Sequence, residues 1–148
     1  MTSDMRVFIS FKTDPDIDMA TELYDALFEC GIPTFFSPRS IVKKAESNYK
    51  QYIDDCLDRA DVLVLVASKP EYSLTSYVRY EWDSYHNDII SGHREARFIS
   101  YLDNDDIQSF HRSIRSNQIF QRKDGGLEQL VEFIKNYISE LEGVSQLH

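Results

Sequence analysis

Apolar residues along the chain fall into two alternating registers, short continuous runs and stripes of helical period. Val7 to Phe11 (VFISF) is a compact run that predicts a buried strand. The following segment, DMATELYDALFECG, places Ala20, Leu23, Tyr24, Leu27 and Phe28 on one helical face. Asp16 or Asp18 stands where an N-cap is expected, and Gly31 where the helix should stop. IPTFF, residues 32–36, predicts a second strand. A polar, basic loop then runs from Ser37 to the neighbourhood of Ser47. In the second helix Tyr49, Tyr52, Ile53, Cys56, Leu57 and Ala60 make the apolar stripe. Val62 to Ala67 is apolar at every position, the mark of a strand covered on both faces and hence of a parallel sheet. A third helix is expected from Thr75 to Ile90, a fourth strand at 97–103 (RFISYLD) and a short fifth around Ile119 and Phe120. The last helix is expected over Leu127 to Leu141, with Leu127, Leu130, Val131, Ile134, Ile138 and Leu141 inward. GVSQLH reads as a frayed tail.

Strands alternating with amphipathic helices specify an α/β fold of three layers. With five strands the expected arrangement is flavodoxin-like, a parallel sheet in the order 2-1-3-4-5 flanked by helices. In that order ligands bind beyond the carboxyl ends of strands one and three, where the winding reverses. Those ends carry Phe11, Lys12 and Thr13 on one side and Ser68 on the other, with the loop after strand two on the same edge. The third helix starts there, and Glu81 falls within its first two turns.

Composition narrows the setting. The 148 residues suit one domain, 1–148, with a core from about 5 to 142. Sixteen Lys and Arg against 25 Asp and Glu give a net charge of −9, which argues against binding a nucleic-acid backbone. No apolar run approaches the ~20 residues of a membrane span. The start, MTSDMRVF, lacks a signal-peptide core. Cys30 and Cys56 sit in helical patterns and are expected as buried free thiols. Together these features predict a soluble cytoplasmic protein without membrane contact, or a cytoplasmic domain of a larger one.

The stretch TSYVRYEWDSYH, residues 75–86, concentrates the candidate chemistry. Helical phase assigns Val78, Trp82, Tyr85 and Ile89 to the core-facing stripe and leaves Glu81 at its edge, one turn after Tyr77. A carboxylate bordering aromatic surface is partly desolvated, which sharpens its hydrogen bonding. On periodicity alone the more economical reading is a solvated residue on an amphipathic helix.

Other constellations carry less. His86, His93, His111 and His148 show no zinc-ligand spacing, and neither cysteine has a near His or Cys partner. There is no GxGxxG or GxxxxGK[ST], and DGG at 124–126 reads as a turn before the last helix. A phosphoacceptor receiver needs an aspartate at the end of strand three, where this chain has VAS. A flavin site would want a Gly, Ser or Thr-rich loop after strand one, where it has KTDPDID. Asp14, Asp16 and Asp18 suggest an acidic metal pocket, but a helix N-terminus attracts carboxylates for electrostatic reasons alone.

In order along the chain, VFISF with Lys12, GIPTFF with its loop, YIDDCLDRADVLVLVAS and SYVRYEW resemble the successive boxes of a Toll/interleukin-1 receptor (TIR) domain. The resemblance spans nearly the whole length. SYVRYEW is similar to the W-x-x-x-E-like segment of TIR domains that consume NAD. The resemblance implies that Glu81 is the catalytic glutamate and that Tyr77 is the aromatic lining the same pocket. It sets Lys12 where a basic residue follows the first strand, and Tyr49 near an aromatic after the BB loop. Combined with the strand order, it gives a substrate-binding set of Phe11, Lys12, Ser37, Tyr49, Ser68 and Tyr77. Ser37 departs from the Asp often found there, the BB loop is somewhat long, and the usual glycine near Ser47 is missing. Trp82 is expected as a core anchor.

The implied activity is cleavage of the nicotinamide–ribose bond of NAD+, taken as substrate with no cofactor and no metal. The product would be ADP-ribose, a cyclic isomer or a related signal. A single carboxylate suits it, because nicotinamide leaves a cationic linkage as a neutral molecule and needs no general acid, unlike a sugar ether. By the same resemblance, small stand-alone acidic members are often bacterial and act in anti-phage or immune defence. They self-associate through TIR–TIR contacts, and a separate effector protein can sense the product. Two other readings stay open: a non-catalytic TIR–TIR adaptor, and a nucleoside deoxyribosyltransferase-like enzyme acting on nucleosides.

Overall fold

In the computed structural model, residues 6–36 and 46–146 are described, with backbone only for 46–50 and 144–146. Five strands, β1 (Val7–Phe11), β2 (Thr34–Phe36), β3 (Val62–Ala67), β4 (Arg97–Leu102) and β5 (Gln118–Gln121), form one sheet. The order is β2-β1-β3-β4-β5 and each pairing is parallel. The expected flavodoxin-like order is therefore the observed one. Helices α1 (Thr13–Glu29) and α5 (Gly126–Gln146) cover one face, and α2 (Glu46–Arg59) and α3 (Ser76–Ile90) the other. A single turn, α4 (Arg112–Arg115), joins β4 to β5.

The pleat of β1 explains the layering. Val7, Ile9 and Phe11 meet Leu23 and Leu27 of α1 and Leu130 and Ile134 of α5. Phe8 turns to the opposite side, among Ile53 and Leu57 of α2 and Val78 and Trp82 of α3. By the same alternation Ser10 faces α3, a polar side chain in an otherwise apolar row. Residue pairing sets Ser10 beside Leu65 and Leu65 beside Ser100, so two buried hydroxyl residues share one row across the sheet.

Several sequence expectations are corrected at helix ends. Neither Asp16 nor Asp18 caps α1. The N-cap is Lys12, and Asp14 is extended (φ −111°, ψ 109°) because it precedes Pro15. Gly31 does stop the helix, with φ +75° and its amide bonded to the Phe28 carbonyl at 2.9 Å. Phe28 is 68% exposed, since the three-residue edge strand β2 offers too little surface to cover it. Cys30 is exposed and only Cys56 is buried. Tyr52, assigned to an apolar stripe, is nearly half exposed and meets Phe35 edge-on at 5.5 Å. α5 continues to Gln146, past the expected stop at Leu141.

The α2–α3 pair is tied together at two levels. Tyr80 Oη donates to Asp54 Oδ1 at 3.0 Å, and Tyr85 Oη donates to the Ala60 carbonyl at 2.8 Å. Arg94 then caps the C-terminal end of α2, donating to the carbonyls of Leu57, Asp58 and Ala60 while stacking on Tyr85 at 4.5 Å. No helix among the described residues is long and apolar enough to cross a membrane.

Candidate active site at the carboxyl edge of the sheet

Glu81 is 2% exposed, so it belongs to the interior and not to the edge of the helix. The difference has a structural cause. α3 contacts β1, β3 and β4 together, so a wider arc of the helix is covered than its apolar stripe marks out. A carboxylate enters such a place only with a hydrogen-bond partner, and Ser10 provides one. Its Oγ donates to Glu81 Oε1 at 2.7 Å. The helix turn that carries Glu81 is thereby fixed against the end of β1, beside the position where the sheet order reverses.

The neighbours on α3 hold that turn from both sides. Val78, Trp82 and Tyr85 are buried as expected, while Ile89 is only partly so. Trp82 stacks on Phe98 at 5.9 Å, and its Nε1 donates to the Ser73 carbonyl at 2.8 Å. Ser73 ends a 3-10 turn, Pro70–Ser73, that lies between β3 and α3 and that periodicity did not reveal. Tyr77, one turn before Glu81, is half-buried against the same core cluster.

Lys12 and Ser68 lie at the same sheet edge. The Lys12 ammonium donates to the Asp14 carbonyl and stands 5.7 Å from the centre of the Tyr72 ring. Ser68 follows β3 directly, and both its backbone N–H (3.2 Å) and its Oγ (2.7 Å) donate to the Asp16 carboxylate. Its carbonyl accepts from Asn104 Nδ2 at 3.1 Å, and Asn104 exchanges hydrogen bonds with the Gln121 side chain. Asp16 is 3% exposed. Burial pushes its carboxyl above the usual range, against the lowering effect of the Ser68 bonds and Lys12.

Phe11 ends β1 with its ring turned to the α1 face, stacked on Phe36 at 5.6 Å. Glu81 and Phe11 thus lie on opposite faces of the sheet. Ser37 and the side chain of Tyr49 lie outside the described residues, as does the BB loop between them. His111 is partly buried beside α3. Its Nδ1 accepts from the Ser113 N–H at 3.1 Å, and its ring lies 5.3 Å from that of Trp82.

Ser10, Tyr72 and Asn104 were not singled out from sequence, and Asp16 only as a cap candidate and one of three acids near a helix start. Ser10 left a faint signal, a hydroxyl interrupting the apolar run VFISF. The others depend on which loops the sheet brings together. Among the described residues no group of three or more His, Cys, Asp or Glu is arranged to hold a metal ion. The carboxyl edge of the sheet thus carries a buried, hydroxyl-anchored carboxylate at Glu81, a cation beside an aromatic ring at Lys12 and Tyr72, and a tightly bonded loop at Ser68.

Comparisons with known proteins agree with this architecture. The TIR-domain family model matches residues 7–131. No curated protein matches the chain. Among solved structures, the chain is similar to a metazoan TIR-STING receptor from C. gigas, with 15% identity and a TM-score of 0.62. The match covers 90% of this chain and 42% of that one. The same receptor in complex with 2',3'-cGAMP gives 14% identity and a TM-score of 0.67, over 90% of this chain and 41% of that one. The TIR domains of the activated Roq1 resistosome match at 18% identity and a TM-score of 0.57, over 96% of this chain and 78% of that one. The chain thus spans about two fifths of the receptor. At these identities the structural likeness speaks for fold alone. The family match, over most of the chain and in step with the observed sheet order, shows that this protein belongs to the TIR-domain family.

Proposed function

We propose that the protein is an NAD+ nucleosidase or ADP-ribosyl cyclase of the TIR type, with Glu81 as its catalytic carboxylate. One observation carries the reading: a buried glutamate at the reversal point of the sheet, held by a hydroxyl from β1. A buried acid on the same helix as buried Val78, Trp82 and Tyr85 contributes little to a fold that an apolar residue would serve as well. Its place suits a positive centre brought into the crevice.

In the reaction the bond between the ribose C1′ and the nicotinamide nitrogen breaks, and its electron pair leaves with nicotinamide, which departs neutral. The ribose becomes oxocarbenium-like, and the Glu81 carboxylate stabilises that charge and binds the ribose hydroxyls. Water attack gives ADP-ribose and releases one proton. Attack by a group of the same molecule gives a cyclic isomer. Tyr77 provides an aromatic face beside Glu81, and Lys12 meets the pyrophosphate. Such products would act as signals to a separate effector, or NAD+ depletion would act directly, in cell defence.

Purified protein at high concentration, incubated with NAD+, should release nicotinamide, measured by chromatography. Glu81→Gln keeps the shape and removes the charge, so release should fall about 100-fold or more. Activity in the Gln variant equal to wild type would remove Glu81 from the mechanism.

An interaction-module reading has its own support in Phe28. This exposed ring stacks on Tyr24 at 6.2 Å, and Tyr24 stacks in turn on Phe36 at 4.7 Å. An aromatic ladder reaching solvent at an edge strand suits contact between copies. If no nicotinamide appears at any protein concentration, this second reading takes the place of the first.

A further inference from the structure

We propose that Asp16 is a positioning residue for the reaction at Glu81, acting through the segment from Ser68 to Ser73. The inference rests on the proposed nucleosidase reading. Its basis is a chain of bonds that crosses the reversal point from one face of the sheet to the other. Asp16 belongs to α1, on the face opposite α3, yet it holds no partner on α1. Both of its oxygens instead accept from Ser68, 52 positions away, one from the backbone N–H and one from the hydroxyl. A carboxylate gripping a residue by two donors fixes its orientation as well as its place.

Five residues later the same segment is held again, where the Ser73 carbonyl accepts from Trp82 Nε1. Between the two anchors Tyr72 lies over Lys12, and Ser73 Oγ closes the turn on the Pro70 carbonyl at 2.6 Å. Trp82 is the immediate neighbour of Glu81. The segment is therefore clamped by Asp16 at its start and by the catalytic turn of α3 at its end. Asn104, in the loop after β4, steadies the Ser68 carbonyl. Loosening Asp16 frees the first anchor and lets the Trp82–Glu81 turn shift relative to Ser10.

Displacements of about 1 Å at a reacting centre can lower turnover by about 100-fold. The effect should fall on kcat, because Asp16 shapes the placement of Glu81 and does not itself grip the nucleotide. Trp82 is the chain's only tryptophan, so its fluorescence reports the far anchor without reference to activity.

The experiment compares wild type, Asp16→Ala, Asp16→Asn and Ser68→Ala in the full chain. It measures nicotinamide release as kcat and KM, and acrylamide quenching of Trp82 emission. Asp16→Ala should lower kcat about 10- to 100-fold with KM nearly unchanged, and should make Trp82 more quenchable. Asp16→Asn, which can accept from the N–H and donate to the hydroxyl, should recover most of both. Ser68→Ala should follow Asp16→Ala more weakly, and it serves should the latter fail to fold.

Wild-type kcat in both Asp16→Ala and Ser68→Ala would overturn this inference while leaving Glu81 in place. So would equal losses in the Ala and Asn variants with Trp82 quenching unchanged, because charge and not anchoring would then be at work. A wild-type protein that releases no nicotinamide would remove the nucleosidase reading, and with it any catalytic role for the clamp.

Discussion

Ser10 and Glu81, 71 positions apart, meet through a 2.7 Å hydrogen bond with both residues buried. The strand presents a hydroxyl between apolar Ile9 and Phe11, and the helix presents an acid among buried Val78, Trp82 and Tyr85. Each substitution of polar for apolar makes sense only with the other. The pair fixes the direction in which the carboxylate looks, the property a charge-stabilising residue needs.

Ser10→Ala should therefore leave the sheet intact and disturb the site. Removing a donor from a buried acid costs about 1–3 kcal/mol, read as a lower midpoint in urea at unchanged m-value. Turnover of NAD+ should fall about tenfold, equivalent to about 1.4 kcal/mol in the barrier. If nicotinamide release is unaffected in a stably folded Ser10→Ala protein, the hydroxyl does not orient Glu81 for the proposed reaction.

Asp16 offers a prediction in pH. Burial raises its carboxyl above 3.8 in the folded protein. Between the unfolded and folded values the native state holds a proton that the unfolded chain has released, so stability falls as pH rises through that window. Above the folded value the charged carboxylate is a standing destabilisation, and below the unfolded value the effect is gone. Asp16→Asn, which is neutral throughout, should melt higher than wild type at pH 7. The gap should close as pH falls towards 4, followed by thermal melts of the two proteins side by side. A gap that widened on acidification would mean that the folded state favours the charged form.

Much of this molecule could be read in advance because its sheet is parallel and covered on both faces. Val62 to Ala67 is apolar at all six positions, and all six are buried. The strand order then located the crevice and placed Glu81 within two turns of it. Helical phase failed at Glu81 itself, since periodicity marks an apolar stripe and not the width of the arc a three-strand contact covers. It failed at Phe28 for the opposite reason, a stripe residue beside a three-residue strand too short to cover it. Asp16 was legible only as one of three acids near a helix start. Its partner, Ser68, is supplied by the crossover from β1 to β3, which local pattern does not encode. α4 and the 3-10 turn at Pro70–Ser73 are too short for any period to show.

Arg94 should prove a stability residue remote from the chemistry. It reaches three carbonyls at the end of α2 and stacks on Tyr85, whose hydroxyl burial pushes up in pKa. Arg94→Ala leaves those carbonyls to water and removes the stacked cation, for a loss of about 2 kcal/mol. Lys retains the charge without the fork, so Arg94→Lys should recover less than half. Denaturant melts of the three proteins decide the matter. Equal stability of the Ala variant and wild type would show that solvent replaces these bonds without loss.

Gly126 opens α5 hard against the end of β5, and a methyl group added there would run into the backbone of Gln121. Backbone cannot swing aside as a flexible side chain can, so Gly126→Ala must move the helix or the strand end. Gln121 also carries Asn104, and Asn104 holds the Ser68 carbonyl at the sheet edge. The substitution should therefore cost about 1–3 kcal/mol in stability and, unlike Arg94→Ala, should also lower nicotinamide release. Gly143, where an added methyl group meets nothing within 4 Å among the described residues, is the control. Gly143→Ala should hold activity and match or slightly exceed wild-type stability, since alanine is the better helix former by about 1 kcal/mol. If Gly126→Ala destabilises the fold but leaves turnover intact, the links from β5 through Asn104 to Ser68 do not reach the site.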